Sequence, residues 1–127
     1  MNMRRIDSPD APAAAGGYAQ AIEVSNATRT LYISGQIPVT SGGTLPGTFR
    51  EQARVAWENL EAQLVAAGMT LQNLVNVTTY LPDRAHLMEY RTIRNEILAG
   101  HAPTMTVVIA GVFDENWMLE VEGIAVA

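Results

Sequence analysis

Apolar residues along this chain recur with two different spacings. Residues 18–24, 29–34 and 74–81 alternate between apolar and polar or are rich in β-branched and aromatic side chains, which predicts three strands. Residues 48–67 and 82–99 carry apolar side chains three and four positions apart, which predicts two amphipathic helices. Two further β-branched segments close the chain, one leaving the loop at Pro103 and running through Phe113, the other spanning residues 117–126.

The first helix has the clearer end signals. Thr48 with Glu51 forms a capping-box pattern, and Gly68 stands where a helix commonly stops. Trp57 lies on the apolar stripe of this helix, which favours a place in the core. In the second helix, Arg91 and Arg94 are expected off the apolar stripe and in solvent.

The element order predicts an α+β fold. Residues 114–116 are polar and suggest a hairpin between the last two strands, so the order is β-β-α-β-α-β-β. Each β-α-β passage makes a right-handed crossover, which places both helices on one face of a mixed sheet. The strands are apolar on both faces, so the other face is expected to be covered by further copies of the same chain.

Length and composition limit the classes of protein to which the chain can belong. The 127 residues, 48% apolar and 17% charged, fit one globular domain over residues 1–127. The net charge of −5 argues against a nucleic-acid partner. No apolar run is long enough for a membrane span and no secretory signal is visible, so a cytoplasmic location is expected. The chain has no cysteine and only two histidines, neither in a metal-binding pattern, and we expect no metal and no cofactor.

Candidate chemistry gathers at the last strand and at two glycine-flanked positions. Glu120 and Glu122 share one face of that strand, and burial would make either a candidate to hold water or move a proton. Ser34-Gly35 ends a strand and suits hydrogen bonding to a ligand, whereas the Gly-x-Ser-x-Gly pattern of a serine nucleophile is missing there. Tyr18 follows Gly16-Gly17 and could present its phenol to a site; the glycine pair itself is a weak phosphate signal.

Five segments together resemble the YjgF (Rid) family of small trimeric enamine and imine deaminases. They cover nearly the whole chain in the family's order: residues 11–20, Ser-Gly-Gln-Ile-Pro at 34–38, Gln-Ala-Arg at 52–54 with Asn-Leu at 59–60, Ala-Ala-Gly at 66–68, and Leu-Glu-Val-Glu-Gly-Ile-Ala-Val at 119–126. The resemblance implies a chorismate-mutase-like fold and a homotrimer with a small-molecule cleft at each subunit interface. It also implies that Tyr18 and Glu120 are catalytic residues lining this cleft, in which water hydrolyses an imine. Ser34 and Gly35 are implied to lie beside the cleft.

The chain departs from the family at the substrate clamp. The deaminases hold the substrate carboxylate with an arginine in a Pro-Ala-Arg-Ser segment, whereas this chain has Pro-Thr-Met-Thr at 103–106. Met105 therefore replaces the arginine, with Thr106 and Val107 following it on the substrate-binding strand. A thioether has essentially no affinity for anions, whereas each charge-assisted bond of a guanidinium contributes about 1.5–3 kcal/mol. His101 is either a group at the cleft mouth or, the better alternative, an ordinary loop histidine.

Two interpretations of the function follow. In the first, the chain is a Rid-type enzyme that hydrolyses an imine, an enamine or a related C–N substrate, less anionic or more apolar than 2-iminopropionate; deamination of 2-aminoacrylate is not expected because of Met105. In the second, the chain is a non-catalytic trimer that binds a metabolite. Chorismate mutase activity is discounted because the several converging cations that its dianionic substrate requires are not found in the sequence.

Overall fold

The computed structural model describes all of residues 1–127, which form eight strands and helices joined by loops and two short 3₁₀ turns. In chain order they are β1 (Asn2–Ile6), β2 (Ala21–Ser25), β3 (Thr30–Gln36), α1 (Phe49–Ala66), β4 (Leu74–Leu81), α2 (Leu87–Leu98), β5 (Thr104–Ile109) and β6 (Glu120–Val126). This confirms the predicted α+β class with two helices and a mixed sheet. No helix is both long enough and apolar enough to cross a bilayer.

The main sheet has the strand order β3-β6-β4-β5. β5 runs parallel to β4, as the crossover through α2 requires, and β6 lies antiparallel to both β3 and β4. The predicted hairpin between the last two strands is therefore wrong. The segment at 114–116 does turn, with the Trp117 amide donating to the Asp114 carbonyl at 3.1 Å, but residues 110–119 form a loop long enough to carry the chain past β4.

The N-terminal residues form a strand that the sequence pattern did not predict. β1 pairs antiparallel with β2 in a separate two-stranded sheet. Its sequence, Asn-Met-Arg-Arg-Ile, is mostly polar and exposed, so it has no buried face to produce an apolar period. The expected strand at 18–24 begins later, at Ala21, and leaves Tyr18 in the loop before it.

Both helices pack on the same face of the main sheet around one apolar core. Trp57 is 1% exposed, as predicted, and its indole N–H donates to the Tyr90 hydroxyl at 3.3 Å. That hydroxyl also makes a short hydrogen bond with Thr79 of β4. The shared hydroxyl thus joins α1, α2 and the sheet through one buried polar network.

Gln52 of α1 fixes the loop that leads into β6. Its side-chain amide donates to the carbonyls of Pro46 and Asn116 at 3.0 and 3.3 Å, and its Oε1 accepts from the Met118 amide at 2.8 Å. The side chain is 2% exposed, so these bonds replace all contact with water. They hold the loop in place immediately before Glu120.

The opposite face of the main sheet has no helix over it. Tyr32 of β3 is 77% exposed there, and its register partner Ile124 lies beside it on β6. We refer to this surface, which β3, β6, β4 and β5 present away from the helices, as the open face.

Candidate functional site

The strand register places the predicted site residues on two different faces of the sheet. Met105 pairs with Val77 and Val107 pairs with Thr79, and these β4 residues are buried under the helices. Glu120 instead pairs with Tyr80, one residue further along, so it faces the other way. Met105 and Val107 therefore point to the helix side, whereas Glu120 points to the open face.

The remaining predicted residues follow the same division. Thr106 lies between Met105 and Val107 and is exposed on the open face. Ser34 is also exposed there, and Gly35 lies against Glu120. Tyr18 joins Met105 and Val107 on the helix side. One chain thus brings the predicted residues together in two groups, which lie on opposite faces of the sheet.

The helix-side group lines a cavity of about 340 Å³ between β5, α2 and the loop before β2. The backbone brings Tyr18 to this place because the next residue, Ala19, bridges to Thr104 and its amide donates to the Pro103 carbonyl at 3.1 Å. Leu87 and Met88 of α2 form much of the opposite wall. We call this the helix-side pocket.

Two arginines of α2 also line the helix-side pocket, and the expectation that both are solvated is wrong for Arg94. Arg94 is only 5% exposed, because it follows Tyr90 by four positions and Leu87 by seven and so lies on the buried side of the helix. Its Nη2 donates to the Gly16 carbonyl at 2.8 Å and its Nε to Asn95 Oδ1 at 3.3 Å. Burial lowers the pKa of Arg94, yet a guanidinium remains charged at neutral pH.

Arg91 lies one helical turn before Arg94 and is partly exposed. Its Nη2 donates to the Ala15 carbonyl in a short hydrogen bond. Gly16 has φ +105°, and a Cβ there would collide with the Arg91 guanidinium. The glycine pair that gave a weak phosphate signal therefore allows the loop to lie directly against α2. The signal that could have identified this pair from the sequence is the spacing of four positions from Leu87 to Arg91 and from Tyr90 to Arg94.

The open-face group centres on Glu120. Its carboxylate lies over Gly35, where a Cβ would collide with Oε1, and it has no hydrogen-bond partner within the chain. A register irregularity between Ile33 and Gln36 gives β3 the extra residue that brings Gly35 to this position. The half-buried Glu120 carboxylate is therefore free to bind a water or a ligand.

The neighbouring carboxylate, that of Glu122, is already engaged. Its Oε1 accepts a hydrogen bond of 2.6 Å from the Tyr80 hydroxyl, and this bond raises the pKa of Tyr80. Glu122 also borders a second cavity of about 340 Å³ on the open face, together with Ser34 and Asn76. The two glutamates that share one face in the sequence pattern thus differ in how much of their acceptor capacity is free.

The histidines lie apart from both groups. His101 Nε2 is 2.8 Å from the Leu74 carbonyl, and the ring of His86 stacks on Phe49 with centroids 4.3 Å apart. No three His, Asp or Glu side chains in the chain converge in a way that could hold a metal ion. The chemistry available is therefore a free carboxylate on one face, and a phenol with two guanidinium groups in an apolar pocket on the other.

Comparison with known proteins identifies the chain's relatives. The family model described as endoribonuclease L-PSP matches residues 8–127. A mouse protein named 2-iminobutanoate/2-iminopropanoate deaminase is 35% identical over 123 residues, which are 95% of this chain and 89% of that protein.

Solved structures agree with the sequence matches. A Yersinia pestis protein of unknown function from the conserved Rid family superposes with a TM-score of 0.86 at 25% identity, covering 100% of both chains. Escherichia coli TdcF, solved with bound serine, superposes with a TM-score of 0.73 at 30% identity, covering 98% of both chains. The chain therefore belongs to the YjgF/RutC/Rid family, the family of the endoribonuclease L-PSP model.

Proposed function

We propose that this protein is a homotrimer whose interfacial clefts bind a small molecule and hydrolyse an imine or enamine within it. The family membership, the mouse relative named as a deaminase and the serine-bound TdcF structure support this proposal. The observation that carries it is the half-buried Glu120 carboxylate, which lies over Gly35 and has no partner in its own chain.

Assembly is the condition for a complete cleft. Within one chain, Glu120 lies on the open face, whereas Tyr18 and Met105 line the helix-side pocket. In a closed ring of three copies, the open face of one copy can meet the edge of the next at β5 and α2. Such an interface would cover Tyr32 and bring a carboxylate of one copy to a pocket of its neighbour.

The chemistry needs one base and a bound imine. Water adds to the imine carbon while Glu120 takes one proton from the water and passes it to the imine nitrogen, which gives a neutral carbinolamine. When the C–N bond of the carbinolamine breaks, Glu120 takes the hydroxyl proton and delivers it to the leaving nitrogen, so that ammonia is released and a carbonyl product remains. Tyr18 is expected to orient the substrate through its hydroxyl group.

The lining of the helix-side pocket indicates a substrate larger and more apolar than 2-iminopropionate. Met105, Val107, Leu87 and Met88 present apolar surface around the cavity. A thioether is flexible and fits varied apolar shapes. The substrate is therefore expected to carry an aliphatic or aromatic group that fills this space.

Paired glutamate variants test the proposal. Glu120→Gln keeps the shape of the side chain but removes the base, and we expect ammonia release from the preferred imine to fall about a hundredfold or more. Glu122→Gln is the matched control on the same strand face, and it is expected to retain most of the activity because its carboxylate is bonded to Tyr80. Equal rates for wild type and Glu120→Gln would contradict the proposal.

A non-catalytic metabolite-binding trimer is the second candidate. The division of the predicted residues between two faces of one chain favours it, since neither group alone contains both a base and a substrate clamp. Ligand binding at the cleft, with no ammonia released from any imine in a panel of aliphatic and aromatic examples, would favour this candidate over the first.

A further inference from the structure

The two arginines of the helix-side pocket have no carboxylate to neutralise them. The ion pairs of the chain join Arg4 to Glu23, Arg5 to Asp7 and Arg50 to Glu96, all at exposed sites away from this pocket. The lining residues of the pocket include no Asp or Glu, although the chain has 13 acidic residues against eight Lys and Arg. A cation that is 95% buried without a counterion is costly to maintain, which indicates that the pocket serves a partner supplied from outside the chain.

Both guanidinium groups are held in place and still have unused donors. A guanidinium has five N–H groups. Arg94 uses its Nε and one Nη2 hydrogen on Asn95 and the Gly16 carbonyl, and Arg91 uses one Nη2 hydrogen on the Ala15 carbonyl. Because neutral acceptors fix both groups, their orientation is set before a ligand arrives and their charge is not consumed.

We infer that Arg91 and Arg94 form a carboxylate-binding subsite on α2, with the apolar wall around Met105 holding the rest of the same ligand. A planar guanidinium matches the two oxygens of a carboxylate. The cavity of about 340 Å³ has room for a small organic acid. Beyond the two guanidinium groups, the pocket offers a ligand the Tyr18 hydroxyl, because the hydroxyl of the other lining tyrosine, Tyr90, is bonded to Trp57 and Thr79.

This inference rests on the proposed function and specifies its substrate class. The replacement of arginine by Met105 led us to expect a less anionic or more apolar substrate. With the cations on α2, the substrate is instead an anionic imine whose carboxylate points to α2 and whose apolar group lies against Met105. An arginine still binds the substrate carboxylate, but it is contributed by α2 and not by β5.

Binding of a matched pair of unreactive probes to the intact protein tests the subsite. 3-Phenylpropanoate and 3-phenylpropanamide have nearly the same shape and differ in charge. By titration calorimetry at neutral pH, we expect the acid to bind at least about tenfold more tightly than the amide, the equivalent of one charge-assisted hydrogen bond. Equal affinities for the two probes would overturn the inference.

Three arginine variants test whether the preference for the acid over the amide arises from Arg91 and Arg94. Arg91→Gln is expected to weaken binding of the acid about tenfold and to leave binding of the amide unchanged. Arg94→Lys keeps the charge but loses the planar fork, and it is expected to reduce acid binding as well. Arg84→Gln removes an exposed arginine just before α2 and is the control, with no change expected.

The variant results also distinguish a purely structural role for the arginines. If they serve only to hold residues 15 and 16, Arg91→Gln will lower the unfolding temperature and affect both probes equally, which overturns the inference. Should Arg94→Lys fail to fold, the wild-type comparison of acid and amide together with Arg91→Gln still decides the question.

Failure of the subsite and failure of the proposed catalysis give different results. The probe titrations require no turnover, and Glu120→Gln is expected to keep the preference for the acid. A protein that prefers the acid but releases no ammonia from any imine supports the subsite and refutes the proposed hydrolysis. A protein that hydrolyses imines but binds acid and amide equally refutes the subsite alone.

Discussion

At the scale of single residues, the contact between Gly35 and Glu120 defines the open-face group. The glutamate side chain occupies the space where any larger residue at position 35 would put its Cβ. Ser-Gly-Gln in the sequence suggested a close backbone approach to a ligand. The structure shows that the close approach is to the candidate catalytic carboxylate itself.

Gly35→Ala is therefore expected to displace Glu120. The added methyl group would force the carboxylate away, at a cost of about 1–3 kcal/mol in the free energy of unfolding, as other overpacking substitutions cost. The rate of imine hydrolysis is expected to fall as well, because the Glu120 carboxylate is displaced. Gly111→Ala, where a Cβ would have nothing within 4 Å, is the control in denaturant titrations and activity assays. Full activity in Gly35→Ala would show that the position of Glu120 does not matter.

Tyr90 gives a second prediction at this scale, for alkaline pH. Burial raises the pKa of Tyr90 above its ordinary value, so above a pH of about 10 the unfolded chain loses a proton that the folded chain keeps. The unfolded state then binds fewer protons, and stability falls as the pH rises through that range.

Tyr90→Phe removes this proton together with the bonds to Thr79 and Trp57. We expect it to lower the free energy of unfolding by about 1–3 kcal/mol at neutral pH and to make the alkaline decline shallower. Denaturant titrations at a series of pH values measure both effects. An unchanged alkaline decline in Tyr90→Phe would contradict the account.

At the scale of elements, the sequence predicted those whose apolar period faces a core. α1 and β4 lie almost where their patterns placed them, since each has one buried side. β1 has no buried side and gave no period. The pairing of β6 between β3 and β4 could not be read from residues 114–116, because a turn signal reports only local geometry.

The N-terminus of α1 allows a measurement at this scale. Thr48 Oγ1 accepts from the Glu51 amide at 3.2 Å, so Thr48→Ala leaves that donor without its cap and is expected to cost about 1 kcal/mol in the free energy of unfolding. Thr92→Ala, on the exposed side of α2, loses only a 3.3 Å bond to the Met88 carbonyl. It is expected to be neutral or slightly stabilising, because alanine favours helices. Equal destabilisation by both substitutions would refute the capping argument.

The residues of the candidate site were predicted from the sequence, but their arrangement in the fold was not. The sequence pattern singled out Tyr18, Ser34, Gly35 and Glu120, and the family resemblance assigned roles to them and to Met105, but neither predicted their distribution over two faces. That distribution depends on the strand register, and a shift of one residue exchanges the faces. Arg94 was missed because the apolar stripe of the second helix was drawn without it, although its spacing of four positions from Tyr90 places it on the buried side.

At the scale of the whole molecule, the open face is the feature that a single chain leaves unsatisfied. Tyr32 is largely exposed at a strand centre beside Ile124, and Glu120 lies on the same face. We expect Tyr32→Lys to weaken the proposed trimer, because it places a charge in the interface. Val65→Lys, at a 66% exposed position on α1, should leave assembly unchanged. Sedimentation velocity measures both; a wild-type monomer would contradict the interfacial cleft.

The central claim, hydrolysis of an imine larger and more apolar than 2-iminopropionate, is tested most directly by comparing substrates. Imines of alanine, leucine and phenylalanine can be generated in the assay by an amino-acid oxidase, and release of ammonia gives kcat/KM for each. We expect the leucine or phenylalanine imine to exceed the alanine imine by about tenfold or more, since each extra methylene in an apolar pocket contributes about 1–3 kcal/mol. Met105→Arg should shift the preference towards the alanine imine. Hydrolysis of the alanine imine at least as fast as the others by the wild-type protein, or no release above the uncatalysed rate from any of them, would contradict the account.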